Sequence, residues 1–305
     1  MSFVVKASGI LQQPGTVALL WNVTPVRNMA TLKDISRRLK SVKSIQKITK
    51  SMKMVSAAKY AKAERELRAA RAYGLSAKGF YDNLEVEKVE GPQKHLFIAA
   101  TSDRGLCGAA NSSIVKNIRT QLNDGKQDLE GTKIVAIGDK SRTGLARTHA
   151  SNLLLSVNEV GKRSLVFGDA SAIAQQLINS GFEYDSADIV YNKFKSAIAY
   201  TTSRQKVLSG DAIARSKSIQ VYDSTDADVL RSFQEFNLAS VLYYAMKENA
   251  TAEQSSRMTA MDNATKNAGE LINKLTTYYN RTRQAVITTE LIEIISGAAA
   301  LEQKN

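Results

Sequence analysis

The chain is poor in the residues that carry most chemistry. It has one cysteine, Cys107, and two histidines, His95 and His149, among 305 residues. A single cysteine excludes an intrachain disulfide and fits a reducing compartment. Its default role is that of a small buried hydrophobe. Two histidines argue against a Ser/His/Asp site and against a multi-histidine metal site; His95 opens an apolar run and reads as a packed or edge residue. No CxxC, HExxH, GxGxxG or GxxxxGKS/T pattern occurs, and no acidic metal cluster. The sequence therefore implies no cofactor and no constellation able to make or break bonds. No contiguous apolar run approaches the roughly 18 residues that span a membrane.

Other scarcities are positional. Acids are missing from the first 29 residues, where Lys6 and Arg27 are the only charges and Asp34 is the first acid of the chain. Hydroxyl and apolar residues alternate there, with Pro14 and Pro25 opposing a helix. This composition reads as a mitochondrial transit peptide over 1–29, the alternative being a disordered tail. Proline is absent after Pro92, glycine is absent from 31 to 73, and Gly269 is the only glycine between Gly210 and Gly297. Both ends of the chain are thus free to be long helices.

What is present supports that. Thr31 with Asp34, and Thr225 with Asp228, are helix-start signals, a hydroxyl cap with an acid near the positive end of the helix. In the first helix Leu32, Ile35, Leu39 and Val42 step by three and four; the stripe then resets to Ile45, Ile48, Met52 and Val55, a stammer that would overwind a supercoil. In the second, positions 258, 261, 265, 268, 272, 275, 279, 282, 286 and 289 alternate these steps without a break. Thr and Ala at several of them make this a soft coiled-coil seam. A helix over 224–296 would run about 110 Å, longer than a small domain is wide, so the two helices are expected to pack against each other as an extended rod.

Residues 93–215 differ. His95–Thr101 and Lys133–Gly138 are short apolar runs, 171–179 is an amphipathic helix, and Asp188–Phe194 and Ala197–Val207 read as strands. Strands alternating with helices indicate an open α/β sheet. The loop Gly105-Leu106-Cys107-Gly108 follows a strand and precedes a helix expected over Ala109–Leu122, but its apolar Leu-Cys pair reads as a structural turn rather than a phosphate loop, with Asp103 and Arg104 pairing or capping it. The expected fold is α/β: a long antiparallel two-helix coiled coil from the N- and C-terminal segments, plus a central open, Rossmann-like α/β domain. The boundaries are 1–29 transit peptide, 30–90 N-terminal coiled-coil helix, 91–215 α/β foot domain and 216–305 C-terminal coiled-coil helix.

Charge is lopsided. The formal net charge is +13. Between 33 and 71 thirteen bases face three acids, so most of the excess sits on one helix. Lys43, Lys47, Lys50 and Lys53 repel one another by a few tenths of a kcal/mol per pair, roughly, and an acidic partner would relieve this. From Val286 to Leu301 the side chains are mostly apolar or small, with only Glu290 and Glu293 charged. Such an end calls for a sleeve of other protein, the alternative being a helix end folded back on its own domain; within a sleeve, small apolar side chains have no directed bonds to break as the helix turns. Arg283, near that end, calls for a carboxylate or carbonyl partner.

Four segments resemble the gamma-subunit family of the mitochondrial rotary ATP synthase: ATLKDISRRLKSVKSIQKITKSMKMVSAAK (30–59), SDRGLCGAANSSI (102–114), SSRMTAMDNATKNA (255–268) and NRTRQAVITTELIEIISGAAAL (280–301). The resemblance covers nearly all of the chain from Ala30. It implies a central rotor stalk at the matrix side of the mitochondrial inner membrane, peripheral to the membrane and non-catalytic. Its implied partners are the catalytic and non-catalytic ring subunits of the head, the small central-stalk subunits and the membrane rotor ring. It also implies contact or coupling roles. Met52 matches a position facing an acidic loop of the catalytic subunits, and Arg257 one whose changes interact with it. Arg283 and Gln284 match a polar catch on a catalytic-subunit loop, and Thr288 and Glu290 match coupling-sensitive positions. Read from the residues alone, Met52 is coiled-coil core and Arg257 a solvated charge. Two other readings stand beside the stalk: a basic coiled-coil protein that binds nucleic acid, which lacks interleaved aromatics or a reader module, and an α/β enzyme with a helical dimerisation arm, which the empty site inventory opposes.

Overall fold

Two very long helices frame the chain. In the computed structural model, which describes residues 31–82, 84, 94–124, 129–216 and 226–302, α1 spans Leu32–Asp82 and α6 spans Ala227–Glu302. The expected leader over 1–29 and the cap at Thr225 lie outside the described residues. Between the helices come β1 (His95–Ala100), α2 (Ala110–Asn123), β2 (Thr132–Ile137), α3 (Asp139–His149), β3 (Leu153–Val157), α4 (Phe167–Asn179), β4 (Ser186–Ser196), β5 (Ala199–Leu208) and α5 (Gly210–Ala214). The chain divides into two units. Residues 39–277 form one; among the described residues, 31–38 and 278–302 form the other.

In the larger unit the sheet order is β3-β2-β1-β4-β5. The first four strands are parallel and β5 returns antiparallel to β4. Strand alternation sorts the side chains onto two faces. Phe97, Ala99, Ile134 and Val190 meet α2 and α3 through Ile114, Ile118 and Leu145. Leu96, Ile98, Val135, Ile189 and Tyr191 meet α4 and residues 238–246 of α6. Each fully buried Leu, Ile or Phe contributes about 1.5–3 kcal/mol relative to exposure, an upper figure because unfolded chains already bury some surface.

In this unit α1 and α6 run antiparallel, held by ties whose numbers move in opposite directions. Thr265 Oγ1 donates to Thr49 Oγ1 at 2.8 Å, and Lys53 Nζ donates to Asp262 Oδ1 at 2.7 Å. Lys247 Nζ meets Glu66 Oε2 at 2.7 Å, and the hydroxyls of Tyr73 and Ser240 hydrogen-bond. The seam on α6 follows expectation at 258, 261, 265, 268, 272 and 275, each at least half-buried; in the smaller unit 279 and 282 are half-buried, but Val286 and Thr289, expected to continue the seam, are exposed.

The seam on α1 differs from expectation. Positions 32, 35, 39, 42, 46, 49, 53, 56, 60, 63, 67, 70, 74, 77 and 81 are all buried or half-buried, an unbroken alternation of threes and fours. There is no stammer. Gln46, Thr49 and Ser56 hold seam positions, while Ile45, Ile48 and Val55 stand exposed. The physical reason is pairing: Thr49 and Lys53 find polar partners on α6, so phase is kept through a polar stretch.

The smaller unit contains Ile35, which is buried, and the end of α6, whose residues from 283 to 301 are exposed. An 18-residue window of α6, none of it buried, has mean hydropathy 1.3 with at most two charged residues. A contiguous apolar run of that length is still absent, as expected. Thr, Ser, Gly and Ala bridge the apolar residues of this window.

Candidate coupling surface

Arg257 is where the expectation from residues alone fails most clearly. It is 6% exposed, not solvated. Its guanidinium donates from Nε and Nη2 to the Gly105 carbonyl at 3.3 Å and pairs with Glu253 one turn earlier. Its neighbour Ser256 donates to the Cys107 carbonyl at 2.6 Å. Two successive residues of α6 thus staple the loop after β1. That loop takes left-handed φ at Leu106 (64°) and Gly108 (56°), and it is tied inward as well. Asn111 Oδ1 accepts from Ser102 N at 3.1 Å, and Asn111 Nδ2 donates to the Arg104 carbonyl at 3.2 Å. Asp103 Oδ1 accepts from Asp139 N at 2.9 Å and so caps α3. The loop's polar groups are spent on its own structure, as a structural turn requires.

Cys107 is buried in this loop. Burial, reinforced by Glu253, raises its pKa despite Arg257, which keeps the thiol protonated and unreactive. His95 lies between strands: Nδ1 is 2.9 Å from Ser186 Oγ, and Nε2 is 3.5 Å from Asp188 Oδ2. The second contact is too long to satisfy a buried nitrogen by ordinary hydrogen-bond geometry, and Nε2 has no hydrogen-bond partner.

Met52 is half-buried beside the α1 seam. Arg283, Gln284, Thr288 and Glu290 are all exposed on the last turns of α6, in the smaller unit. Thr288 Oγ1 donates to the Gln284 carbonyl at 2.9 Å, and Thr289 Oγ1 to that of Ala285 at 3.0 Å. Both hydroxyls are therefore occupied within their own helix. Around them Ile287, Leu291, Ile292, Ile294 and Ile295 are exposed. The structure thus gathers four of the six expected positions at one helix end, and it places Arg257 in the loop staple of the larger unit.

One surface escaped the sequence reading. The exposed Ile45, Ile48 and Val55 form an apolar stripe among Lys43, Lys47 and Lys50 on α1. Among the described residues, those three lysines make no ion pair. Carrying the heptad unbroken from Val42 to Gln46 would have revealed the stripe.

A family profile described as ATP synthase matches residues 31–301. The chain is 56% identical over 276 residues to the mitochondrial ATP synthase subunit gamma of Drosophila melanogaster, covering 90% of the chain and 92% of the relative. It is 54% identical over 273 residues to the mitochondrial ATP synthase F(1) complex subunit gamma of Rattus norvegicus, covering 90% of the chain and all of the relative. Among solved structures, the central stalk and c-ring of Tetrahymena thermophila mitochondrial ATP synthase matches with TM-score 0.60 at 29% identity, over 71% of this chain and 99% of that one. A chain of the Euglena gracilis mitochondrial ATP synthase shares the fold with TM-score 0.74 at 20% identity, over 88% of this chain and 94% of the other. Nothing in these similarities favours the nucleic-acid reading.

Proposed function

The chain belongs to the ATP synthase gamma-subunit family, and from that premise we propose that it is the central rotor element that converts rotation of the membrane ring into conformational change in the catalytic subunits. Its place is the matrix side of the mitochondrial inner membrane. Its partners are the catalytic and non-catalytic subunits of the head, the small stalk subunits and the rotor ring. The chain itself supplies no bond chemistry; ATP is made or hydrolysed in its partners.

The observation that carries this reading is the antiparallel pairing of α1 with α6 in the larger unit, tied at 49/265, 53/262, 66/247 and 73/240. A single helix twists under load. Two helices locked side by side by seam packing and polar ties pass torque along their length. The exposed end of α6 suits a turning contact: its aliphatic side chains make no directed bonds, and Thr288 and Thr289 bond their own helix. Bearing surfaces need few hydrogen bonds that must break at each step.

In this reading Arg283 and Gln284 engage a loop of a catalytic subunit, with Thr288 and Glu290 close by. Met52 and the Ile45–Val55 stripe meet an acidic and apolar partner surface. Arg257 acts by fixing the loop after β1, since its guanidinium is already occupied. Driving a catalytic subunit almost completely from one state to another needs about 5.5 kcal/mol of differential contact energy. A few apolar contacts and charge pairs made in one angular state supply that amount.

The test is purification of the tagged full chain from mitochondria, with identification of its companions and assay of the isolated chain. Head subunits and the rotor ring are expected to co-purify, and the isolated chain is expected to hydrolyse no ATP. Recovery without head subunits, or ATPase activity of the chain alone, would overturn the assignment.

A further inference from the structure

Within the larger unit, α1, the loop before α4 and α6 enclose a groove of about 270 Å³. Its lining is strongly cationic. Lys59 and Lys62 come from α1, Lys162 and Arg163 from the loop, and Lys247 from α6, against a single carboxylate, Glu66. That carboxylate is already shared. It accepts from Lys247 at 2.7 Å and from Ser164 Oγ at 2.5 Å, and it stands 3.9 Å from Lys62. Burial favours its neutral form, but the bonds from Lys247 and Ser164 outweigh this and lower its pKa, so it stays ionised.

The cations outnumber what Glu66 can neutralise. Among the described residues, Lys59 and Arg163 pair with no acid, and Lys162 pairs only with the exposed Glu159. Lys247 has a side chain only 6% exposed. An ammonium carries three donors; one reaches Glu66, and the nitrogen sits 5.4 Å from the centre of the Tyr243 ring. Gln254, also in the wall, holds a buried Oε1 with no hydrogen-bond partner. Converging cations, a buried ammonium and an unmet acceptor mark an incomplete polar site.

We propose that this groove binds a small polyphosphate anion. The charge excess calls for a ligand with more than one negative charge. The volume lies just below the ordinary range for small-molecule sites, about 300–1,000 Å³, which suits a compact ligand rather than a folded acidic segment. Phosphoryl oxygens accept from ammonium and guanidinium groups at once, with Arg giving the forked contact. A protonated phosphate oxygen, or a water carried with the anion, would donate to Gln254. This function is separate from torque transmission and does not depend on it.

The experiment titrates pyrophosphate into the purified full chain at fixed ionic strength, read by calorimetry and by the thermal unfolding midpoint. Inorganic phosphate serves as the smaller comparison. The expected result is one pyrophosphate per chain, bound more tightly than phosphate, with a raised midpoint. Replacing Lys62→Gln together with Arg163→Gln should weaken binding about tenfold or more, the worth of one or two charge-assisted contacts. Lys47→Gln with Lys50→Gln removes equal charge elsewhere on α1 and should leave binding unchanged. Should the first pair disturb folding, seen as a lowered midpoint without ligand, the single loop change Arg163→Gln makes the same comparison. Absence of saturable binding, or equal weakening by both charge-removing pairs, would overturn the proposal.

Discussion

Gly74 shows how one missing side chain sets the helix contact. A Cβ placed there would lie 2.2 Å from Cδ2 of Tyr244, whose ring is almost wholly buried. Mid-helix glycine ordinarily weakens a helix by about 0.5–1 kcal/mol relative to alanine, so the exposed form of this argument favours Ala. Here the close approach wins. Gly74→Ala should destabilise the chain by about 1–3 kcal/mol through overpacking, whereas Gly79→Ala, with nothing within 4 Å, should stabilise it slightly. Denaturant midpoints of the two variants check the opposite signs. A few residues away, the Glu248 side chain is fully buried and accepts from Arg71 Nε at 3.1 Å, Phe194 N at 2.8 Å and Tyr244 Oη at 3.0 Å. Arg71→Ala strands that charge and should cost about 3 kcal/mol, the low end for a broken buried pair, because two donors remain. Equilibrium unfolding measures the loss, and a cost below that of an ordinary surface pair would show that the Arg71–Glu248 pair does not hold α1 to α6. Such residues are hard to read from sequence. Glu248 and Arg257 look like surface charges until the fold supplies their partners.

At the scale of elements, the helices were legible because their signals are local. Thr31 caps α1 as expected: its hydroxyl donates to Asp34 Oδ2 at 2.7 Å and accepts from Asp34 N at 3.3 Å. The α6 seam follows a period that needs no knowledge of its partner. The α1 seam does need it, since Thr49 and Lys53 belong there because α6 offers them polar partners, and the apolar Ile45 and Ile48 lie on the opposite, exposed face. Two elements carried little signal. α3 buries only Ser141 and Leu145, a Cβ placed on Gly144 would lie 3.0 Å from the Val115 methyls, and β3 is short and half-exposed beside β2. Ile272 sits half-buried in the seam. Ile272→Pro removes a backbone bond and clashes with the preceding turn, at about 3 kcal/mol or more. In the assembled complex it should uncouple proton flow from synthesis, and a normally coupled complex would contradict a stiff shaft. The ties between the helices also respond to acid. The folded pKa of Glu66 lies below its ordinary 4.5, so its contribution is present above that value and lost as pH falls beneath it through the depressed one. The thermal midpoint of the full chain should therefore drop below pH 4.5, with a shallower slope in Glu66→Gln.

For the whole molecule, fold and function separate cleanly. The sheet and helix pair are explained by residues within the chain, but the exposed apolar end of α6 is not. Ile287, Leu291, Ile292, Ile294 and Ile295 gain nothing from standing in water, and their composition was visible in the sequence. Among the described residues this chain offers no face that covers them: 283–301 are all exposed. Gln284 tests the difference between holding the assembly and working it. It is exposed, and its carbonyl is used by Thr288 while no bond to its side-chain amide is required by the fold. Gln284→Leu keeps the size and helix propensity and adds apolar surface, so folding and incorporation into the complex should persist. If the amide bonds a catalytic-subunit loop in only part of the cycle, its loss falls on turnover. One hydrogen bond of about 1–1.5 kcal/mol formed in the rate-limiting state corresponds to up to about a tenfold fall in rate. Complexes of wild-type and variant chain, purified to equal subunit content, should differ in ATP hydrolysis by several-fold. Equal turnover at equal assembly would remove Gln284 from the coupling surface, and reduced assembly with normal turnover per complex would make it a packing residue instead.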